Sequence, residues 1–319
     1  ALDKVGFLLS VIAIGSLVFT VIESPHWGWG SAKSNLGFAI GMLTLVGFVI
    51  FESKKEEPLL EVTFFKSARF SAATGSIGIA FFCLFGFTFL VTQYFQFVRG
   101  YDTLSAGLHT IPFAVGAGIT APLAARAALK FGTKRVVALG LFNMSVGLLI
   151  ASRMDAHSSY WGHVIIGMVL MANGLSFVTS PATDAVMGSL PREKAGVGSA
   201  VNDISREVGG TLGVAVVGSV FVSLYTPRLI SNFEKIPGLI SALNKMNPGL
   251  YPMAQDSVGA AFAISQQAPA PVRPMVLAAV SDSFVQGFQT ACLIGVGMAL
   301  VGSLFALKFL PARPKPTDS

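Results

Sequence analysis

Residues 70–98 read FSAATGSIGIAFFCLFGFTFLVTQYFQFV, 29 residues without an Asp, Glu, Lys or Arg. A helix needs roughly 20 apolar residues to cross a hydrocarbon layer about 30 Å thick. This run therefore predicts a membrane span, with length left over for tilt or protrusion. Outward from it, seven further runs lack those four residue types: 5–22, 35–51, 103–125, 136–152, 164–183, 208–226 and 283–307. Numbered in chain order, they give eight spans, of which 70–98 is the third. No ten-residue alternation of apolar and polar residues supports a barrel. In lipid, then, only helices satisfy the backbone N–H and C=O groups. The expected fold class is all-α, a polytopic transmembrane helix bundle. Pro112, Pro122 and Pro181 fall inside spans four and six and are expected to kink them.

Composition agrees. Of 319 residues, 53% are hydrophobic and only 12% charged, and the mean hydropathy is +0.68. A soluble domain carries about a quarter charged residues, so these charges are too few to wet a globule of this size. The net charge of +6 does not imply nucleic acid, because the basic residues sit in short clusters between apolar blocks. Lys4, Lys54, Lys55, Lys66, Arg69, Arg126, Lys130, Lys134, Arg135, Arg192, Lys194, Arg206, Lys308, Arg313 and Lys315 fall on one side, 15 of the 22. Lys33, Arg99, Arg153, Arg228, Lys235, Lys245 and Arg273 fall on the other, four of them in one long loop. The positive-inside rule then places both termini, Ala1 and Ser319, in the cytoplasm and the 227–282 excursion outside. The aromatic turn Pro25, His26, Trp27 and Trp29 and the pair Tyr160 and Trp161 come to the outer interface, where amphipathic rings settle. The excursion carries seven prolines and no run long enough to span, which suits short helices on the outer surface. Cys83 and Cys292 lie in apolar runs and read as buried thiols.

Three stretches, in order along the chain, resemble the fourteen-helix drug:proton antiporter branch (EmrB/QacA type) of the major facilitator superfamily. They are EPLLEVTFFKSARF (57–70), QYFQFVRGYDTLSAGLHTIP (93–112) and GVGSAVNDISREVGGTLGVAVVGSVF (196–221). The resemblance implies two central linker helices (1–52), a cytoplasmic linker (53–69), a C-terminal six-helix transporter domain (70–310, with the outer loop 227–282) and a cytoplasmic tail (311–319). It implies a plasma-membrane exporter that moves lipophilic or cationic small molecules outward against protons. It further implies that the chain is the later part of a longer protein, lacking the first six helices. An exporter of an endogenous metabolite, lipid or siderophore on the same fold is the alternative, with a channel behind it. The branch's inner-loop motif would fall on 125–135. Lys130, Gly132, Lys134 and Arg135 match, while Ala125 and Leu129 replace its Gly and Asp, so no charge-relay role carries over.

Candidate site residues follow from helical stride. On span three, Phe82, Gly86, Phe89 and Gln93 share a face, with Phe97 one turn on and Gln96 beside it. Aromatic rings and an amide suit a flat lipophilic cation; lipid-facing phenylalanines with interfacial amides are the competing reading. Gln93 is read as substrate-facing because an unpaired amide in lipid is costly. On span six, Asn173 and Phe177 are read as substrate contacts, with interhelical hydrogen bonding as the other reading for Asn173. Asp203, Arg206 and Glu207, the densest charge cluster on a helical stretch, are read either as an inner gate or as an interfacial collar in which Asp203 and Arg206 pair. His109 in span four is read as a coupling group or as packing. The pairs Gly209 with Gly213 and Gly295 with Ala299 are read as helix-packing sites. No phosphate loop, nucleophile set or metal-ligand spacing points to an enzyme or a cofactor. No span holds a carboxylate at mid-membrane depth, so the chain alone is expected not to perform proton-driven export.

Overall fold

Each of the eight apolar runs is helical in the computed structural model, which describes residues 3–55 and 61–311. The expectations for Ala1, Glu56, Glu57, Pro58, Leu59, Leu60, Arg313, Lys315 and Ser319 lie outside the described residues. The long helices are α1 (Lys4–Trp27), α2 (Ala32–Lys54) and α3 (Ala68–Gln93), which runs on through a π turn, Tyr94–Val98. Then come α4 (Thr103–Leu108), α5 (Ile111–Phe131), α6 (Thr133–Ala151), α7 (Ile165–Met187) and α8 (Ala195–Glu234). Three short helices, α9 (Leu239–Met246), α10 (Leu250–Asp256) and α11 (Val258–Gln267), lead to α12 (Arg273–Phe309).

The fourth span is two helices. Pro112 has no N–H to offer the Leu108 carbonyl four residues back, and α4 ends at Leu108. The break falls at His109 and Thr110, and Pro112 sits in the first turn of α5, where a missing donor costs nothing. Pro122 and Pro181 lie inside continuous helices. The seventh and eighth spans are longer helices than their apolar runs. α8 has 40 residues, about 60 Å at 1.5 Å per residue, twice the hydrocarbon thickness. Apolarity marks the bilayer, not the end of the hydrogen-bonded ladder, so polar flanks extend the helix beyond it.

Close approach of glycines sets the packing. α3 and α8 cross where a Cβ on Gly209 would lie 2.2 Å from the Gly78 carbonyl oxygen, and one on Gly213 2.2 Å from that of Phe82. α6 and α7 meet through Gly140 against Gly174 and Gly147 against Gly167. Ala299 is fully buried in α12, and Gly295 faces Leu148 of α6. Small-residue contacts of this kind bring backbones together where the hydrophobic effect cannot drive helix association. α12 packs on α3, α6 and α8, and α7 on α3, α5 and α6, which closes a six-helix bundle. Both cysteines are buried in it, with the Cys83 thiol 3.6 Å from the Gly295 carbonyl.

α1 and α2 form a hairpin whose buried Ser24 and Ser34 hydroxyls lie 3.1 Å apart. Asp3 caps α1 by accepting from the Gly6 amide at 2.9 Å and pairs with Lys55 at the end of α2 at 2.7 Å. The ammonium of Lys55 first, then the Gly6 amide, holds this carboxyl below the usual range. The hairpin docks on α8: the Ser219 hydroxyl donates to the Val21 carbonyl, and Trp29 Nε1 donates to the Ser223 hydroxyl at 3.3 Å.

The 227–282 excursion is a docked cap. It takes in the end of α8, the short helices α9–α11 and the start of α12. The hydroxyls of Tyr225 and Thr226 on α8 donate to the carbonyls of Ala254 and Gln255 at 3.4 and 3.1 Å. Phe262 of α11 is buried and stacks on Phe97, with centroids 5.9 Å apart and planes 16° from parallel.

Candidate functional site

The end of α3 and the π turn that follows it present a polar rib, Thr88, Thr92 and Gln96, spaced by four residues. Phe85 continues it one turn earlier. A cavity lies on each side of this rib. The first, about 750 Å³, is walled by Phe89, Gln93 and Phe97 of α3 and its π turn, by Val214, Phe221 and Val222 of α8, and by residues 256–259 of the cap. The second, about 530 Å³, lies toward α4, α5 and α7, with Val91, Phe113, Ala114 and Met168 in its wall. Phe85, Thr88, Thr92 and Gln96 border both.

The rib's hydroxyls are satisfied along the helix. Thr88 donates to Leu84 and Thr92 to Thr88, each at 2.8 Å. Gln93 donates through Nε2 to the Phe89 carbonyl at 3.3 Å, and its amide oxygen accepts no hydrogen bond among the described residues. Gln96 makes no hydrogen bond among the described residues. Rings thus supply stacking area to the cavity walls, and the two amides add polar groups beside the rib's hydroxyls.

The structure brings Phe89, Gln93 and Phe97 together in the first cavity, with Phe89 39% exposed. Phe82 does not join them. It is on the same stripe of α3, but α8 crosses there at Gly213, so Phe82 is buried at the helix contact and borders a separate groove with Ile204 and Leu212. Asn173 accepts from the Thr120 hydroxyl of α5 at 2.5 Å, and beside it Ser176 donates to the Ala117 carbonyl at 3.1 Å. Asn173 therefore sits in a polar seam between α5 and α7. Phe177 is half-buried at the α6 crossing, against Gly140, and neither residue borders the two cavities.

His109 lies at the break between α4 and α5 inside an aromatic box. Tyr101 stacks on it at 4.3 Å, Tyr160 meets it edge-on at 4.7 Å, and Phe95 closes a third side at 6.0 Å. Its Nδ1 donates to the Ser105 carbonyl at 2.7 Å, while the Tyr160 hydroxyl donates to the His109 carbonyl at 2.9 Å. Arg99 and Tyr94 brace the box by donating to the carbonyls of Ser158 and Asp155 at 3.1 and 2.7 Å. Asp203, Arg206 and Glu207 lie two to three turns inside α8. Asp203 and Arg206 form no ion pair among the described residues; the Arg206 guanidinium instead lies over the Phe81 ring at 5.4 Å. The Nε of Arg206 is buried without a hydrogen-bond partner among the described residues, and both carboxylates are exposed.

Two parts of the cavity escaped the sequence reading. The Thr88–Thr92–Gln96 spacing was a legible signal for the rib. The contribution of residues 256–259 carries no such signal, because it comes from a loop far away in sequence.

A six-helix bundle with open cavities along one helix suits a membrane transporter, and similarity to known proteins names its family. The profile of the Major Facilitator Superfamily matches residues 4–214. The chain belongs to that superfamily, a class of transporters and not of enzymes. It is 31% identical over 233 residues to the multidrug resistance protein Stp of Mycobacterium tuberculosis, covering 73% of this chain and 43% of that one. It is 29% identical over 318 residues to the tetracenomycin C resistance and export protein of Streptomyces glaucescens, covering 98% and 57%. The chain thus spans about half the length of these relatives. Among solved structures, a bacterial homologue of the human lysosomal transporter Spinster, inward-facing and unoccupied, aligns with a TM-score of 0.51 at 15% identity. That alignment covers 97% of this chain and 70% of the other, a likeness of fold.

Proposed function

We propose that the chain is the C-terminal part of a secondary active exporter of lipophilic or cationic small molecules, driven by proton antiport across the plasma membrane. The observation that carries this reading is the pair of cavities flanking the α3 rib, with ring faces and amides on their walls and no lysine or arginine among their lining residues. The relatives' names, multidrug resistance and tetracenomycin C resistance and export, agree with it. In the proposed arrangement the exposed ring of Phe89 and the amides of Gln93 and Gln96 face a second six-helix unit, and the solute sits between the two. Alternating access then rocks one unit against the other about that site. Both termini and the α5–α6 turn lie in the cytoplasm, and the cap lies outside. Within this chain the groups proposed to gate or couple are His109 in its aromatic box and the Asp203, Arg206 and Glu207 cluster. Asn173 and Phe177 act behind the cavity, by holding α7 against α5 and α6.

The test is accumulation of ethidium in cells that carry the encoding gene and in matched cells that lack it. The expected result is lower accumulation with the gene, abolished by a protonophore and weakened by Phe89→Ala or Gln93→Ala. Equal accumulation in both cell lines, or export insensitive to the protonophore, overturns the proposal.

A further inference from the structure

We propose that Asp256, carried by the cap and not by a membrane span, is the residue that selects for positive charge at the aromatic cavity. The inference rests on the reading of that cavity as the solute site and adds a specificity determinant to it.

Asp256 is the last residue of α10 and borders the first cavity together with Phe89, Phe97 and Phe221. It is the only charged residue among those lining the cavity. Its place is fixed from both sides. The two carbonyls before it, Ala254 and Gln255, accept from Tyr225 and Thr226 on α8. Three residues after it, Gly259 meets the Phe97 ring so closely that a Cβ there would lie 3.0 Å from Cζ. That close packing seats the segment after Asp256 against the Phe97 ring.

The ordinary structural uses of such an aspartate are already filled. The N-terminus of α11 is capped by Ser257, whose hydroxyl accepts from the Ala260 amide at 3.3 Å. The Asp256 carboxylate makes no hydrogen bond and no ion pair among the described residues, and the residue is exposed. An uncompensated negative charge on a cavity wall that also carries the exposed Phe89 ring, negative at the centre of its face, is a field that favours a monovalent organic cation. With roughly 6 Å between charges in a partly wetted site, the carboxylate contributes about tenfold in affinity for a cation and little for a neutral solute of the same shape.

The experiment is equilibrium binding of tetraphenylphosphonium and of neutral triphenylphosphine oxide to the purified transporter, comprising this chain and the six-helix unit it is proposed to face, in lipid nanodiscs. The variants are Asp256→Asn, Asp256→Glu and, as a charge control on the short turn Arg192–Lys194 that precedes α8, Glu193→Gln. Asp256→Asn is expected to weaken the phosphonium ion about tenfold, with the neutral probe nearly unmoved, Asp256→Glu retaining the preference and Glu193→Gln like wild type. Unchanged phosphonium binding in Asp256→Asn overturns the inference and leaves the cavity reading standing. Equal weakening of both probes also overturns it, since Asp256 then only shapes the cap. Wild-type protein that binds neither probe overturns the cavity reading and the inference with it.

Discussion

Replacing Gly213 by alanine tests whether the α3–α8 crossing is as tight as its geometry requires. The added Cβ would sit 2.2 Å from the Phe82 carbonyl oxygen and 2.8 Å from that residue's Cα and carbonyl carbon, where real contacts stay beyond 3.0 Å. All three atoms are backbone, so no rotamer change relieves the clash, and the two helices must part by about 1 Å. A radial gap of 0.5–1 Å forfeits about a quarter to a half of the dispersion attraction across it, and overpacked cores lose ~1–3 kcal/mol. Gly213→Ala should therefore lower the unfolding free energy by that amount, read from SDS-driven unfolding of the detergent-solubilised protein. Two other glycines calibrate the measurement. At Gly295 a Cβ would meet Leu148 Cδ1 at 2.8 Å, the movable end of a side chain, so Gly295→Ala should cost less. At Gly297 nothing lies within 4 Å, and alanine there should be neutral or stabilise by up to ~1 kcal/mol through helix propensity. Gly213→Ala as stable as wild type, or Gly297→Ala as damaging as Gly213→Ala, refutes the reasoning.

Thr120→Val removes the donor to Asn173 and should cost about 0.6–1.7 kcal/mol in the same assay; a double-mutant cycle with Asn173→Leu should return most of that as coupling, and additive losses would show the bond to be idle. Because the folded carboxyl of Asp3 is held below its ordinary value, the link from α1 to Lys55 is intact above the unfolded pKa near 3.9 and is lost as pH falls through the lower folded value. In a Lys55→Ala variant that loss should begin at higher pH, as seen by acid titration of intrinsic fluorescence; coincident titrations would contradict the assignment. For topology, cysteine at Lys245 should react with a membrane-impermeant maleimide in intact cells while cysteine at Lys134 does not. The reverse pattern would invert the bundle.

The spans were legible because a helix in lipid must be apolar over a set length, which residues 70–98 state outright. The ends of α8 and α12 were not, since polar residues continue a helix freely once it leaves the bilayer. Phe89, Gln93 and Phe97 were found together by counting turns along one helix. The same count included Phe82, and only the crossing of α8 at Gly213, a three-dimensional fact, separates it from the cavity. The box around His109 draws Phe95, Tyr101 and Tyr160 from three segments, and Asp256 reaches the cavity through hydroxyls on α8. Neither arrangement leaves a periodic trace in sequence, because loop-borne contacts have no fixed stride.

The central claim, that a solute sits against the α3 rib, is tested most directly by ligand protection of a cysteine placed at Thr92, in protein with Cys83 and Cys292 replaced by alanine. Saturating tetraphenylphosphonium should slow its reaction with a maleimide several-fold, while a cysteine at Gly297, far along α12 in open surroundings, reacts at an unchanged rate. Equal reaction rates at Thr92 with and without the ligand, under conditions where the ligand is shown to bind, would place the site elsewhere and contradict the account.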